Sequence, residues 1–190
     1  SQYQLGAFYE IGEGVPKNNS RAVYWYGQAG QLGHEIAQYK LGKMYQDGEG
    51  VTKDFVEAVK WFRKAAIQGN ADAQHMLGWM YCYGRGITKD RVAAVYWIRK
   101  AAEQGGADAQ LSLGHMYDFG WGVVEDDVEA AKWYRKAAEQ GDAWAKKLLA
   151  DEEKIRATDE RLAATKSLEW EKAAQNLKGL IAKVRSSVGT

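Results

Sequence analysis

One interval governs this chain. Leu5, Leu41, Leu77, Leu113 and Leu149 stand 36 residues apart, and the same step links Gly6, Gly42, Gly78 and Gly114. Tyr9, Tyr45, Tyr81 and Tyr117 repeat it, as do Trp25, Trp61, Trp97 and Trp133, and Gly33, Gly69, Gly105 and Gly141. A fixed period in the thirties marks stacked supersecondary units, none of which buries its apolar face without a neighbour.

Each unit reads as two helices. In the third, the first helix opens near Asp72 as N-cap and runs through "ADAQHMLGWMYCYG" to Gly84. Ala73, Leu77, Met80, Tyr81 and Gly84 keep the three-and-four spacing of one buried face. The second helix opens at Asp90, as at Asp54 and Asp126, with Glu57 and Glu129 placed for a capping box. Arg63-Lys64, Arg99-Lys100 and Arg135-Lys136 suit the negative end of its dipole, and Gly69, Gly105 and Gly141 suit a left-handed C-cap. Gly42, Gly78 and Gly114 fall mid-helix, each costing about 1 kcal/mol against alanine. That recurrent cost predicts close helix approach, with the tryptophan of the second helix over each glycine. Ala65-Ala66 and their equivalents predict a docking surface for the next unit. Gly27 and Gly30 predict that the second helix of the first unit is the weakest.

The expected fold is therefore an all-α, right-handed solenoid of four 36-residue repeats over 1–36, 37–72, 73–108 and 109–144, with a helical cap or extension over 145–190. One proline in 190 residues agrees with helices punctuated by glycine. A net charge of +1 offers no field for nucleic acid or an anionic membrane, and no run approaches the roughly 20 apolar residues of a membrane span. A single cysteine, Cys82, makes no internal disulfide. Ser1 falls at the first turn of a helix without a cap, as in a trimmed or processed chain. The compartment, periplasm or cytoplasm, stays open, as does the oligomeric state.

These rows resemble the Sel-one-like repeats, relatives of the tetratricopeptide repeats, whose pattern is A-x-A-Q-x-x-L-G-x-x-Y-x-x-G-x-G-V-x-x-D-x-x-x-A-x-x-W-x-x-K-A-A-x-Q-G. Here it stands as "AQYKLGKMYQDGEGVTKDFVEAVKWFRKAAIQG" from Ala37, and again from Ala73 and Ala109. The resemblance implies a non-enzymatic module that binds a protein or peptide. It implies either a bacterial toxin-neutralising immunity protein, or an envelope, secretion or signalling adaptor; a small-molecule or cell-wall-fragment binder is a further alternative. Cysteine-rich relatives staple each helix pair with a disulfide; this chain lacks those cysteines, so their ligands are not carried over.

No catalytic residue, cofactor site or metal site is assigned. His34, His75 and His115 are scattered, without an H-E-x-x-H or C-x-x-C motif. The loops "GEG", "GRG" and "GWG" lack the Lys-Ser/Thr ending of a phosphate loop and recur in every unit, so they read as turns. Cys82 reads as a partly buried bystander.

Recognition is expected where residues vary on a constant frame. Taking Leu41 as inward, positions 39, 43, 46 and 47 and their equivalents face away from the core. The resemblance puts these first helices on the concave face. The candidate partner-binding residues are Tyr39, Lys43, His75, Trp79, Tyr83, Leu111, His115, Phe119 and Trp121. Two readings stand for the aromatics: anchors for a partner, or packing between neighbouring first helices. In the tail, Leu148, Ile155 and Leu162, then Trp170, Leu177 and Val184, fall every seven residues, with a slip near Ser167. One helix over 145–185 would run roughly 60 Å against about 40 Å for four stacked units, so the tail bends near Ser167 or projects. Trp170 and Leu177 join the candidates, to meet a partner helix, a second copy or the chain's own groove.

Overall fold

The computed structural model describes residues 1–151, Trp170 and Lys172. Among them are eight complete helices and no strand: α1 (Gln2–Ile11), α2 (Asn19–Gln31), α3 (Glu35–Asp47), α4 (Phe55–Ile67), α5 (Ala71–Tyr83), α6 (Arg91–Glu103), α7 (Ala107–Asp118) and α8 (Asp127–Glu139). Residues 143–151 are helical too, as are Trp170 and Lys172. The chain forms two compact units, Ser1–Lys146 and Lys147–Thr190. Leu177, and with it the expected long or bent tail helix, lies outside the described residues.

The first unit is an all-α solenoid in which each helix packs on those before and after it. Second helices start as their sequences dictate. Asp54, Asp90 and Asp126 accept from backbone N–H groups of Glu57, Ala93 and Glu129, satisfying donors the helix leaves orphaned. The reciprocal half of the capping box is absent at Glu57 and Glu129, whose carboxylates instead pair with Lys60 and Lys132, each at 2.7 Å. Asn70, not Asp72, caps α5, accepting from Ala73 at 2.7 Å; Asp72 sits in the first turn, where its charge suits the dipole. Ser1 is a cap after all, accepting from Gln4 while Gln4 accepts from the terminal amine.

The mid-helix glycines are where the paired helices touch, but the ring above them is not tryptophan. A Cβ on Gly42 would sit 2.6 Å from the Phe62 ring, and one on Gly6 would meet Tyr26 at 2.6 Å. Ile98 and Tyr134 cover Gly78 and Gly114 in the same way. These residues follow the tryptophans by one position, a 100° turn on the helix that swaps which side chain faces the partner. The tryptophans point back along the solenoid. Trp61 lies against Gly30 and the Ala22–Leu41 cluster, Trp97 against the Phe62–Leu77 cluster, and Trp133 in the Ile98–Leu113 cluster.

The seams between repeats hold the rest. Ala65, Ala66, Ala101 and Ala102 are buried against the next first helix, as their size suggests. Gln38, Gln74 and Gln110 are buried and donate to Gly30, Ala66 and Ala102 carbonyls of the preceding helix at 2.8 to 3.2 Å. Gln68, Gln104 and Gln140 then donate to them at 2.7 to 2.8 Å, making a satisfied ladder along the stack. Arg63 and Arg99 reach across the seam to the Tyr81 and Tyr117 hydroxyls, at 2.9 and 2.5 Å. The adjacent lysines stay on their own helix, Lys64 over Trp61 at 4.1 Å and Lys136 over Trp133 at 4.0 Å. In the last three Gly-x-Gly turns the second glycine (Gly50, Gly86, Gly122) has positive φ and lies close against the backbone of the preceding second helix's first residue, Asn19, Phe55 or Arg91. Any side chain there would strike that backbone.

Candidate functional site

The first helices carry the variable positions, and the structure sorts them by row. The row holding Tyr39, His75 and Leu111 is half-buried rather than turned outward. Tyr39 packs on Phe62 at 6.0 Å, and burial, then the charges of Asp72 and Asp47, push its hydroxyl pKa up. His75 Nε2 lies 2.9 Å from Ser112 Oγ. Ser112 gives its own proton to the Asp108 carbonyl, so the pairing assigns the imidazole proton to Nε2. Through this pair His75 joins α5 to α7.

The row Glu10, Gln46, Cys82 and Asp118, expected to face outward, instead answers the residue over the glycine. Tyr26 donates to Glu10 at 2.5 Å and Tyr134 to Asp118 at 3.0 Å, while Cys82 shares a buried apolar cluster with Ile98. Carboxylates stand where the second helix brings a phenol, and neutral side chains where it brings Phe62 or Ile98. Lys40 completes the first triad, 3.1 Å from Glu10. Burial pushes the Cys82 thiol pKa up, against the pull of Arg91 and Lys89, so little of it is the nucleophilic thiolate.

What remains outward is the row of Ile11, Asp47, Tyr83 and Phe119; in the row of Lys43, Trp79 and His115 only Lys43 is exposed and the other two are half-buried. Lys43 is exposed, 3.9 Å from Asp47. Trp79 is half-buried against the Phe62–Leu77 cluster and touches Tyr83, ring centroids 4.8 Å apart. Arg85 lies over both Trp79 and Phe55, at 5.1 and 5.4 Å. His115 stacks on Phe119 at 6.1 Å and meets Tyr134 edge-on at 5.5 Å; burial lowers its pKa, as it does that of His75. Phe119 lies 5.6 Å from Trp121, which is half-buried in its cluster under Arg91 at 4.9 Å. Tyr83 and Phe119 themselves are 53 % and 57 % exposed. Trp170 is exposed at 78 % in the second unit. The last two turns thus each join a cation and an aromatic across a seam, with the roles exchanged between Phe55–Arg85 and Arg91–Trp121.

Among the described residues no group of three or more His, Cys, Asp or Glu side chains is placed to hold a metal ion, and no helix is long and apolar enough to cross a membrane. His34 is spent as a cap, its Nδ1 accepting from Ala37 at 3.3 Å.

The Sel1 repeat model matches four times, over residues 1–34, 36–70, 71–106 and 107–142. The chain belongs to the Sel1 repeat family. Among solved structures it resembles c5321, a protective antigen of uropathogenic Escherichia coli with an SLR fold, at 47 % identity and a TM-score of 0.77 over 79 % of this chain. A Sel1 repeat protein from Oxalobacter formigenes matches at 42 % identity and TM-score 0.75, also over 79 %. Helicobacter pylori cysteine-rich protein B matches at 26 % and 0.56, over 70 % of this chain and 96 % of its own. The chain spans only 32 % of the Escherichia coli protein and 62 % of the Oxalobacter one. No curated protein matches at a significant level. Sel1 repeat proteins mediate protein–protein interaction as a rule, and the family is typically a non-enzymatic scaffold.

Proposed function

We propose that this Sel1 solenoid binds a partner protein through the outward face of α5 and α7, with Tyr83 and Phe119 as its central anchors. One observation carries the reading. These two residues occupy the same position of successive first helices, where α1 and α3 hold Ile11 and Asp47, and both stay more than half exposed although rings flank them. Aromatics packed against Trp79, His115 and Trp121 have less side-chain freedom to lose on contact, which favours such residues as interface anchors. Tyr39, Lys43, His75 and Leu111 stand on the other two rows of the first helices, and Trp170 and Leu177 belong to the second unit as separate candidates.

Affinity capture with the wild-type chain and with a Tyr83→Ala/Phe119→Ala variant tests this. Both side chains are exposed, so helicity should survive while the captured partner is lost; undiminished capture by the folded double variant would remove the assignment. Within this class, a toxin-neutralising role predicts one tight one-to-one complex. An adaptor role for the envelope, secretion or signalling predicts weaker binding of extended peptides. Titration calorimetry on the captured partner separates them.

A further inference from the structure

We infer that the partner held on the Tyr83–Phe119 face presents an acidic segment, whose carboxylates are received by Arg85, Lys89 and Arg91 at the end of α5; the inference rests on that face being the recognition surface. Arg85 lies 5.1 Å from the centre of the Trp79 ring, which is 4.8 Å from that of Tyr83. Arg91 lies 4.9 Å from the centre of the Trp121 ring, which is 5.6 Å from that of Phe119. Each exposed anchor thus has a guanidinium one ring away. Lys89 completes the group: a Cβ on Gly84, the residue after Tyr83, would lie 3.1 Å from that of Lys89. The charges of Arg91 and Lys89 both reach Cys82, the residue before Tyr83. All three cationic side chains are exposed. Among the described residues the ion pairs use Lys40, Lys43, Lys60 and Lys132, and none uses these three.

The fold itself does not call for cations there. At the equivalent positions α1 is followed by Glu13, Lys17 and Asn19, α3 by Glu49, Lys53 and Phe55, and α7 by Trp121, Glu125 and Asp127. The same turn is built with either sign, so the partial negative charge ending α5 does not require three cations. Arg91 goes further against its surroundings. As the first residue of α6 it stands at the positive end of that helix, whose first turn holds no acid, whereas α8 opens with Asp127. Nor do the neighbouring acids answer these cations. Asp90, between Lys89 and Arg91 in sequence, caps α6 by accepting from Ala93 at 2.9 Å, and Asp118, beside Phe119, accepts from Tyr134 at 3.0 Å. Glu125 and Asp127 confine the positive charge to the end of α5. A guanidinium stacked on a ring keeps its N–H edge free for a carboxylate. The complement of this surface is a chain in which acidic residues flank apolar ones, the apolar side chains meeting Tyr83 and Phe119.

The probe is a fluorescein-labelled peptide, Glu-Asp-Trp-Glu-Phe-Asp-Glu, titrated against the full chain by anisotropy beside its neutral counterpart, Gln-Asn-Trp-Gln-Phe-Asn-Gln. Extended at about 3.3 Å per residue, it spans the roughly 10 Å between neighbouring helices. The acidic peptide should bind saturably and the neutral one about tenfold more weakly, at about twofold for each of three exposed ion pairs. An Arg85→Gln/Lys89→Gln/Arg91→Gln chain should lose the same factor for the acidic peptide and nothing for the neutral one. Lys89→Glu, a single exposed change that keeps the test decisive if the triple variant loses helicity, should weaken the acidic peptide about fourfold. Tyr83→Ala/Phe119→Ala should weaken both peptides alike. Equal binding of the two peptides, lost with the aromatic pair, would overturn the acidic partner and leave the face standing. Acidic-peptide binding that needs the cations but survives the aromatic substitutions would overturn the anchors and, with them, this placement of the partner. No saturable binding of the acidic peptide, binding untouched in the folded cation variants, or equally tight binding of an oligothymidine strand would overturn the inference outright.

Discussion

Replacing Gly27 with arginine should stabilise the solenoid, and the reason lies at one missing contact. Arg63 and Arg99 clasp the tyrosine of the next repeat, Tyr81 and Tyr117. The equivalent residue on α2 is Gly27, so Tyr45 receives no such arm. Gly27 is helical, its φ is not positive, and a Cβ there would meet nothing within 4 Å. Removing a helix-interior glycine contributes about 0.7 to 1 kcal/mol. A solvent-accessible hydrogen bond from a guanidinium to a phenol adds about 0.5 kcal/mol. A domain of this size gains roughly 2 to 4 °C in Tm per kcal/mol, so Gly27→Arg should raise the first melting transition by about 3 to 5 °C. Gly27→Ala isolates the backbone contribution and should give roughly two thirds of that. Differential scanning calorimetry of the three proteins decides the matter. An arginine no better than alanine would refute the clasp. No gain from either would refute the claim that the first repeat is the weak link.

Three further outcomes follow from the same geometry. Gly42→Ala gains helix propensity but drives a methyl into the fully buried Phe62 ring, and should lower stability by about 1 to 2 kcal/mol in urea unfolding. Phe62→Tyr should be neutral or stabilising by about 0.5 to 1 kcal/mol, because the buried Gln46 Oε1 has no partner while Tyr26 and Tyr134 already serve Glu10 and Asp118. His75 and His115 have pKa values lowered by burial, so below the ordinary value of 6.5 the unfolded chain takes up protons first. Stability should fall as pH drops from 7 to 5, and a His75→Gln/His115→Gln variant should flatten that slope in pH-dependent melting.

Much of the architecture was legible because a repeat prints its physics several times. The 36-residue rows, the Asp caps of the second helices and the Ala-Ala pairs each state a local rule that the packing obeys. What the rows did not reveal was direction. Trp61 and Phe62 are both large and adjacent, and only the angle of α4 on α3 decides which covers Gly42 and which meets Gly30. The outward rows suffered likewise: a 100° wheel centred on Leu41 put Cys82 outside, whereas crossing helices bury it. One signal was available. Glu10, Gln46, Cys82 and Asp118 change in step with Tyr26, Phe62, Ile98 and Tyr134, a pairing of carboxylate with phenol that marks contact. The buried glutamines were equally visible in the repeat, but a polar residue on an apolar face does not announce which carbonyl it satisfies. At the candidate site the aromatic residues were proposed from the sequence, while the cations stacked on Trp79 and Trp121, Arg85 and Arg91, come from a turn and a helix start that only the seam brings together.

Site-specific photo-crosslinking tests the recognition face most directly. Benzoylphenylalanine placed singly at 83, 119, 24 or 96 samples exposed aromatic positions on first helices and on second helices of the same solenoid. Positions 83 and 119 should capture the same protein partner, and positions 24 and 96 should not. Capture of that partner at 24 and 96, with none at 83 and 119, would place recognition on the second helices and contradict the account.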